Sequence, residues 1–157
     1  MQVGKEEHLN TKIFKDFFEI TKSRLSISVV FSSITGYLLA TETVDTLHIM
    51  YLFIGGFCMV GASNALNQVI ERDYDAVMKR TQNRPIPRGR ISISSALILS
   101  LLMIVMGFYL LYHLNLKTAF FSFFSILIYV SIYTPLKTIT PLSVFIGAFP
   151  GAIPFML

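Results

Sequence analysis

Apolar residues gather into long runs separated by short polar breaks. Leu25–Thr41, Thr46–Asn67, Ala96–His113 and Thr118–Thr134 are each almost free of charge, and Pro135 closes the last. A hydrocarbon core about 30 Å thick needs roughly 17 to 20 such residues in a helix, so each run predicts a membrane span. Ser92, Ser94 and Ser95 offer N-caps to the third. A fifth run, Leu142–Leu157, is 16 residues long, holds Pro150 and Pro154, and has no polar flank after Leu157. A free carboxylate there would lie in hydrocarbon at a cost of several kcal/mol. The pattern therefore predicts an all-α, polytopic transmembrane bundle of four complete spans and an unfinished fifth, the N-terminal part of a longer protein.

Composition agrees with the pattern. Hydrophobic residues make up 54% of the 157 and charged residues only 14%, against about a quarter charged in a soluble domain. From Ile91 to Leu157 the only formal charges are Lys117 and Lys137. A soluble enzyme and a disordered tail are excluded, and Cys58, the single cysteine, excludes a disulfide scaffold. Met1 to Arg24 is polar and mixed in charge, unlike a signal peptide.

The net charge of +4 does not point to nucleic acid, because the basic residues flank the apolar runs. Five lie in residues 1–24 and six in 72–90, whereas the turn at 42–45 carries Glu42 and Asp45 with no Lys or Arg. The positive-inside rule then places the N-terminus and the 72–90 loop in the cytoplasm, with the protein integral to a bacterial-type inner membrane. Residues 1–24 are expected to be a cytoplasmic amphipathic segment, and residues 25–157 the membrane domain.

Candidate chemistry sits where the second run meets the basic loop. Asn67, Glu71 and Asp75 are spaced i, i+4, i+8, so a continuing helix aligns them in one stripe, and Asn64 falls on the same face. Two carboxylates and two amides are hard-oxygen donors of the kind Mg²⁺ takes while bridging to substrate phosphates. Asp73 points the other way. The plainer expectation is a solvated helix end with Arg72 and Lys79 paired to the acids. Like charges at i, i+4 repel unless a cation lies between them, which argues against it. Lys79, Arg80, Arg84, Arg88 and Arg90 follow, with Pro85 and Pro87 stiffening the loop. Guanidinium forks suit phosphate oxygens, so acids beneath a basic loop form a layout for a diphosphate.

These residues resemble the UbiA superfamily of intramembrane prenyltransferases, whose first acidic motif Asn-x-x-x-Asp/Glu-x-x-x-Asp is matched by Asn67, Glu71 and Asp75. Within it, the chain is most similar to the haem-modifying branch. That likeness rests on Asn64-Ala-Leu-Asn67, Glu71-Arg-Asp-Tyr-Asp75, Met78-Lys-Arg-Thr-Gln-Asn-Arg-Pro85, Tyr133-Thr-Pro-Leu-Lys137 and Gly147-Ala-Phe-Pro-Gly-Ala-Ile-Pro154. Glutamate at the middle acidic position favours this branch over the quinone branches. The resemblance implies a nine-helix bundle that transfers a farnesyl group from farnesyl diphosphate to a vinyl group of haem b, making haem O. It implies Mg²⁺ and diphosphate held by Asn67, Glu71 and Asp75, with Asn64, Arg80, Arg84, Lys137 and Lys22 as further diphosphate contacts, and Arg24 near the cavity mouth. Tyr129 and Tyr133, one turn apart, are candidates to face an allylic cation, against a plainer place as interfacial aromatics. Association with haem A synthase or terminal-oxidase assembly is a further implied partnership.

Three departures matter. Ser23 stands where the family commonly has proline, and Thr138 where it commonly has arginine. The second acidic motif, which completes the family's metal site, is absent from the chain, so these 157 residues alone are expected to be inactive. His8, His48 and His113 have no partners at ligand spacing and receive no role. Two alternatives stay open: transfer to an aromatic quinone precursor, and a non-catalytic membrane subunit or transporter.

Overall fold

The computed structural model describes the backbone of residues 3–137 and 139–156 and the side chains of 12–137, 139–148 and 150–154. Thr138 and the His8 side chain lie outside the described residues. Every regular element among them is helical: α1 (Val3–Ile20), α2 (Ser23–Ala40), α3 (Thr46–Ile70), α4 (Arg72–Val77), α5 (Ile93–Tyr112) and α6 (Leu116–Ile128). A π-helical segment (Tyr129–Tyr133), α7 (Thr134–Leu136) and α8 (Ser143–Met156) complete the order.

Local chemistry sets the helix starts. Asp45 Oδ1 accepts the amide of Leu47 at 2.8 Å to open α3, and Asn115 Oδ1 that of Lys117 at 2.7 Å to open α6. Of the serine cluster, Ser92 is the N-cap of α5, its Oγ accepting from Ser95 N at 3.0 Å. Four stretches, Ser23–Ala40, Thr46–Ile70, Ile93–Tyr112 and Leu116–Leu136, are long and apolar enough to cross a bilayer. The fourth does not stop at Pro135. The wide π turn just before it absorbs the missing amide donor, and the helix runs on to Leu136.

The molecule is apolar outside and partly polar inside. On α5, Ile98, Leu101, Leu102 and Val105 are each more than 60% exposed, a continuous face suited to lipid or to another apolar surface and not to water. Ser26, Ser33, Ser100 and Ser122 are buried between helices, and the Ser100 hydroxyl donates to Ala96 O at 2.7 Å. Small residues bring helices close where no hydrophobic drive exists between them. A Cβ on Gly107 of α5 would lie 2.9 Å from the carbonyl oxygen of Gly55 on α3. In this way α5 backs α3, while α2, α3, α6 and α8 surround an apolar cavity lined in part by Val30, Met59, Ile126, Tyr129 and Pro150.

Candidate functional site

The acidic stripe forms across a helix break. α3 ends at Ile70, Glu71 takes φ −88° and ψ 2°, and α4 begins at Arg72. The one continuous helix expected here is therefore two. The i to i+4 ladder nevertheless survives, with Glu71 N donating to Asn67 O at 3.0 Å and Asp75 N to Glu71 O at 2.8 Å. Asn67, Glu71 and Asp75 consequently stay on one face, and all three are buried.

Buried carboxylates need partners, and each acid has a cation from a different element. Lys137, just after α7, pairs with Glu71 Oε1, and Arg84 Nη1 meets Asp75 Oδ2 at 2.5 Å. The repulsion between Glu71 and Asp75 is thereby offset. Arg72 does not join them; its Nε pairs with Asp73 Oδ1 at 3.3 Å on the outward side. The other oxygen of Glu71, Oε2, accepts from Asn67 Nδ2 at 2.8 Å. Beyond the Lys137 ion pair, Glu71 Oε1 has no hydrogen-bond partner among the described residues.

Thr134, which sequence reasoning passed over, completes this chain of contacts. It is 1% exposed, and its hydroxyl lies 2.8 Å from both Asn67 Oδ1 and Tyr129 O, the two acceptors sharing one proton. The π turn brings it there. Thr134 N donates to Tyr129 O across five residues, and the same wide turn stacks Tyr129 on Tyr133 with ring centroids 5.0 Å apart. Tyr133 packs closely on Gly147, where a Cβ would come within 2.8 Å of the ring. Lys137 Nζ sits 5.7 Å from the Tyr133 centroid. Nothing in the spacing of Thr134 marks it, and only the fold shows it meeting Asn67.

Lys22 occupies the turn between α1 and α2 with φ 47° and ψ 54°, the only non-glycine residue at positive φ among those described. That conformation costs about 1 kcal/mol or more, and a hydrogen-bond cage holds it. Asn64 Nδ2 donates to Thr21 O and Ser26 Oγ, both at 3.3 Å; Gln68 Nε2 reaches Ile20 O at 2.9 Å and Glu19 O at 3.3 Å. Ser26 Oγ donates to Thr21 O at 2.8 Å. Asn64 therefore spends its amide nitrogen on the turn and not on the acidic cluster. Burial pushes the Lys22 ammonium below its usual pKa and Arg84 adds to this, while Glu71 pulls it back up. Lys22 thus belongs to the same electrostatic cluster as Arg84, Lys137 and the acids.

The loop cations separate sharply. Arg84 enters the cluster, whereas Arg80 is exposed and has no ion pair among the described residues. Arg90 ties the loop to α1 through Asp16 and Glu19 Oε2 (2.7 Å) and braces the loop itself through Asn83 O (2.9 Å), while Arg88 contacts Asn83 Oδ1. His48 and His113 sit at the far end. His48 opens α3 near Tyr37 and Asp45, and His113 is ringed by Tyr51, Tyr109 and Tyr112. By helix rise, His48 is about 34 Å from Glu71.

Two carboxylates and an amide oxygen suit Mg²⁺. No group of three or more His, Cys, Asp or Glu comes together among the described residues, so waters and substrate oxygens would have to complete the shell. The apolar cavity begins one helical turn away, at Asn64 and Tyr129.

Fold and site together define an integral membrane helical bundle with a cation-flanked carboxylate pair beside an apolar cavity. Residues 29–157 match the UbiA prenyltransferase family, and the chain belongs to it. The protohaem IX farnesyltransferase of Christiangramia forsetii is 60% identical over 148 residues, covering 94% of this chain and 49% of that protein. This chain thus spans about half the length of the curated relatives it matches. Its fold is like that of a solved digeranylgeranylglyceryl phosphate synthase, with TM-score 0.83 and 21% identity, over 90% of this chain and 50% of that one. A UbiA homologue from Archaeoglobus fulgidus bound to DMAPP and Mg²⁺ gives TM-score 0.79 and 14% identity, over 90% and 52%.

Proposed function

We propose that this chain carries the metal- and diphosphate-binding acidic site of an enzyme that transfers farnesyl from farnesyl diphosphate to a vinyl group of haem b, yielding haem O. The observation that carries the proposal is the buried Asn67–Glu71–Asp75 stripe flanked by Lys137, Arg84 and Lys22 beside an apolar cavity. The haem acceptor is supported by the name of the 60% identical relative, and the use of Mg²⁺ by the ligands of the Archaeoglobus fulgidus homologue.

Asn67, Glu71 and Asp75 would hold the ion, which supplies positive charge to the diphosphate oxygens. Lys137, Arg84 and Lys22 stabilise the negative charge that grows on diphosphate as the carbon–oxygen bond to the prenyl group breaks. The vinyl carbon attacks the allylic cation, and water adds to the resulting cation as hydroxyl, releasing a proton. The apolar cavity keeps water from the first cation, and Tyr129, which lines that cavity and stacks on Tyr133, offers its ring to it.

The basic N-terminal segment and the 72–90 loop face the cytoplasm in this reading. It is supported by the Arg90 bridge to Asp16 and Glu19, which holds both segments at one end of the bundle. Residues 1–24 then form a cytoplasmic segment before the membrane domain, and haem A synthase or oxidase-assembly factors are the partners to expect for a haem O product.

Labelled farnesyl diphosphate supplied with haem b and, separately, with an aromatic acid, followed by chromatography, tests the acceptor in the complete protein. Label in haem O is expected; label in the aromatic product alone would move the chain to a quinone-type reaction. Binding of a farnesyl diphosphate analogue that is indifferent to Mg²⁺ would favour a non-catalytic membrane protein.

A further inference from the structure

The start of the first membrane span carries a second charged cleft, outside the acidic cluster. It lies between α1 and the first turn of α2, walled by Lys15, Lys22 and Arg24 on the polar side and by Phe18 and Leu25 on the apolar side. Glu19, the one acid lining it, is held by Arg90 Nη2 at 2.7 Å, so the cleft is cationic. Lys22 is half-buried, whereas Lys15 and Arg24 are exposed, so these two are the cleft's most accessible charges.

Its apolar wall has an unusual position. α1 packs inward through Asp16 and Ile20, which are buried, while Phe14 and Phe18, one helical turn apart on another face, are 66% and 52% exposed. Phe18 shares the cleft with Leu25, and the exposed apolar surface continues along α2 through Ile27 and Phe31. That surface belongs to a helix long and apolar enough to cross a bilayer, so in a membrane it would meet lipid tails. The cleft, at the start of that helix, would then open where headgroups meet hydrocarbon.

We infer that this cleft binds an anionic phospholipid, its phosphate between Lys15 and Arg24 and its acyl chain along Phe18 and Leu25. Two exposed cations above a wall continuous with the lipid-facing surface match an anionic head and an apolar tail in that order, and each basic residue near a membrane surface favours anionic lipid about fivefold. Phe14 and Phe18 would sit among the acyl boundaries as the apolar face of an interfacial helix does. The inference rests on membrane insertion and is independent of the reaction proposed above.

Electron spin resonance of the protein in nanodiscs of mixed phosphatidylglycerol and phosphatidylcholine, with spin-labelled forms of each, tests it. Immobilised phosphatidylglycerol should exceed phosphatidylcholine by at least about fivefold, and Lys15→Gln with Arg24→Gln should remove most of that preference. Lys117→Gln, an exposed cation away from the cleft, should leave it unchanged. Equal immobilisation of the two lipids by the unaltered protein overturns the inference without any variant. So does an equal loss in Lys117→Gln. Displacement of phosphatidylglycerol by soluble farnesyl diphosphate would assign the cleft to the prenyl donor and overturn the phospholipid assignment.

Discussion

Thr134→Val removes one hydroxyl and nearly preserves shape, so it isolates the link between the π turn and the acidic stripe. In the structure that hydroxyl lies 2.8 Å from Asn67 Oδ1, at a residue 1% exposed. Without it the Asn67 side chain keeps only its bond to Glu71 Oε2 among the described residues, and its amide is held from one side alone. Losing a buried hydrogen-bond partner costs about 1 to 3 kcal/mol. Outer partners that orient metal ligands are typically worth about 10- to 100-fold in metal affinity. The assay is titration of Mg²⁺ against binding of a farnesyl diphosphate analogue by the complete protein, with thermal unfolding measured alongside. A rise of at least about tenfold in the Mg²⁺ required is expected, and Thr134→Ser should restore most of it. If Thr134→Val binds Mg²⁺ and analogue as well as the unaltered protein, Thr134 does not orient Asn67 and the chain of contacts from the π turn carries no function.

Other substitutions separate residues that look alike in sequence. Arg84→Ala should weaken analogue binding by about 10- to 100-fold, the worth of a charge-assisted hydrogen bond, while Arg80→Ala should change it by less than about twofold; isothermal titration would show both. Asn64→Leu should release the left-handed turn at Lys22, lowering stability by about 1 to 3 kcal/mol in denaturant titration and exposing the Thr21–Ser26 segment to proteolysis. Gly107→Ala should lower the melting temperature by forcing apart α3 and α5, at about 1 to 3 kcal/mol, without altering the Mg²⁺ dependence of analogue binding.

Much of this was legible in the chain because membranes impose simple rules. The four spans lie close to where the uncharged runs put them, shifted by a few residues where Ser92 or Asn115 supplied a cap. The alignment of Asn67, Glu71 and Asp75 on one face follows from spacing, since a period of four survives the break at Glu71. Spacing around one helix does not tell what packs against it. Asn64 lies one turn from Asn67 but meets Thr21 and Ser26 of another segment. Arg80 and Arg84 are equivalent as letters, and the loop path through Thr81, whose hydroxyl donates to Asp75 O at 3.1 Å, selects Arg84. Arg90 reads as a phosphate ligand until Asp16 and Glu19, more than 70 positions away in sequence, are seen to occupy it. Thr134 carried no signal of its own, because its role depends on a π turn that apolar periodicity does not reveal.

In the proposed reaction the buried carboxylates act on a prenyl diphosphate so that its prenyl group reaches haem. Haem O measured by chromatography of membranes holding the complete protein, with Glu71→Gln and Asp75→Asn compared against the unaltered chain at equal membrane insertion, tests it most directly. Haem O should be formed by the unaltered protein only when Mg²⁺ is supplied, and be lost in both variants. Undiminished haem O from either variant would contradict the account.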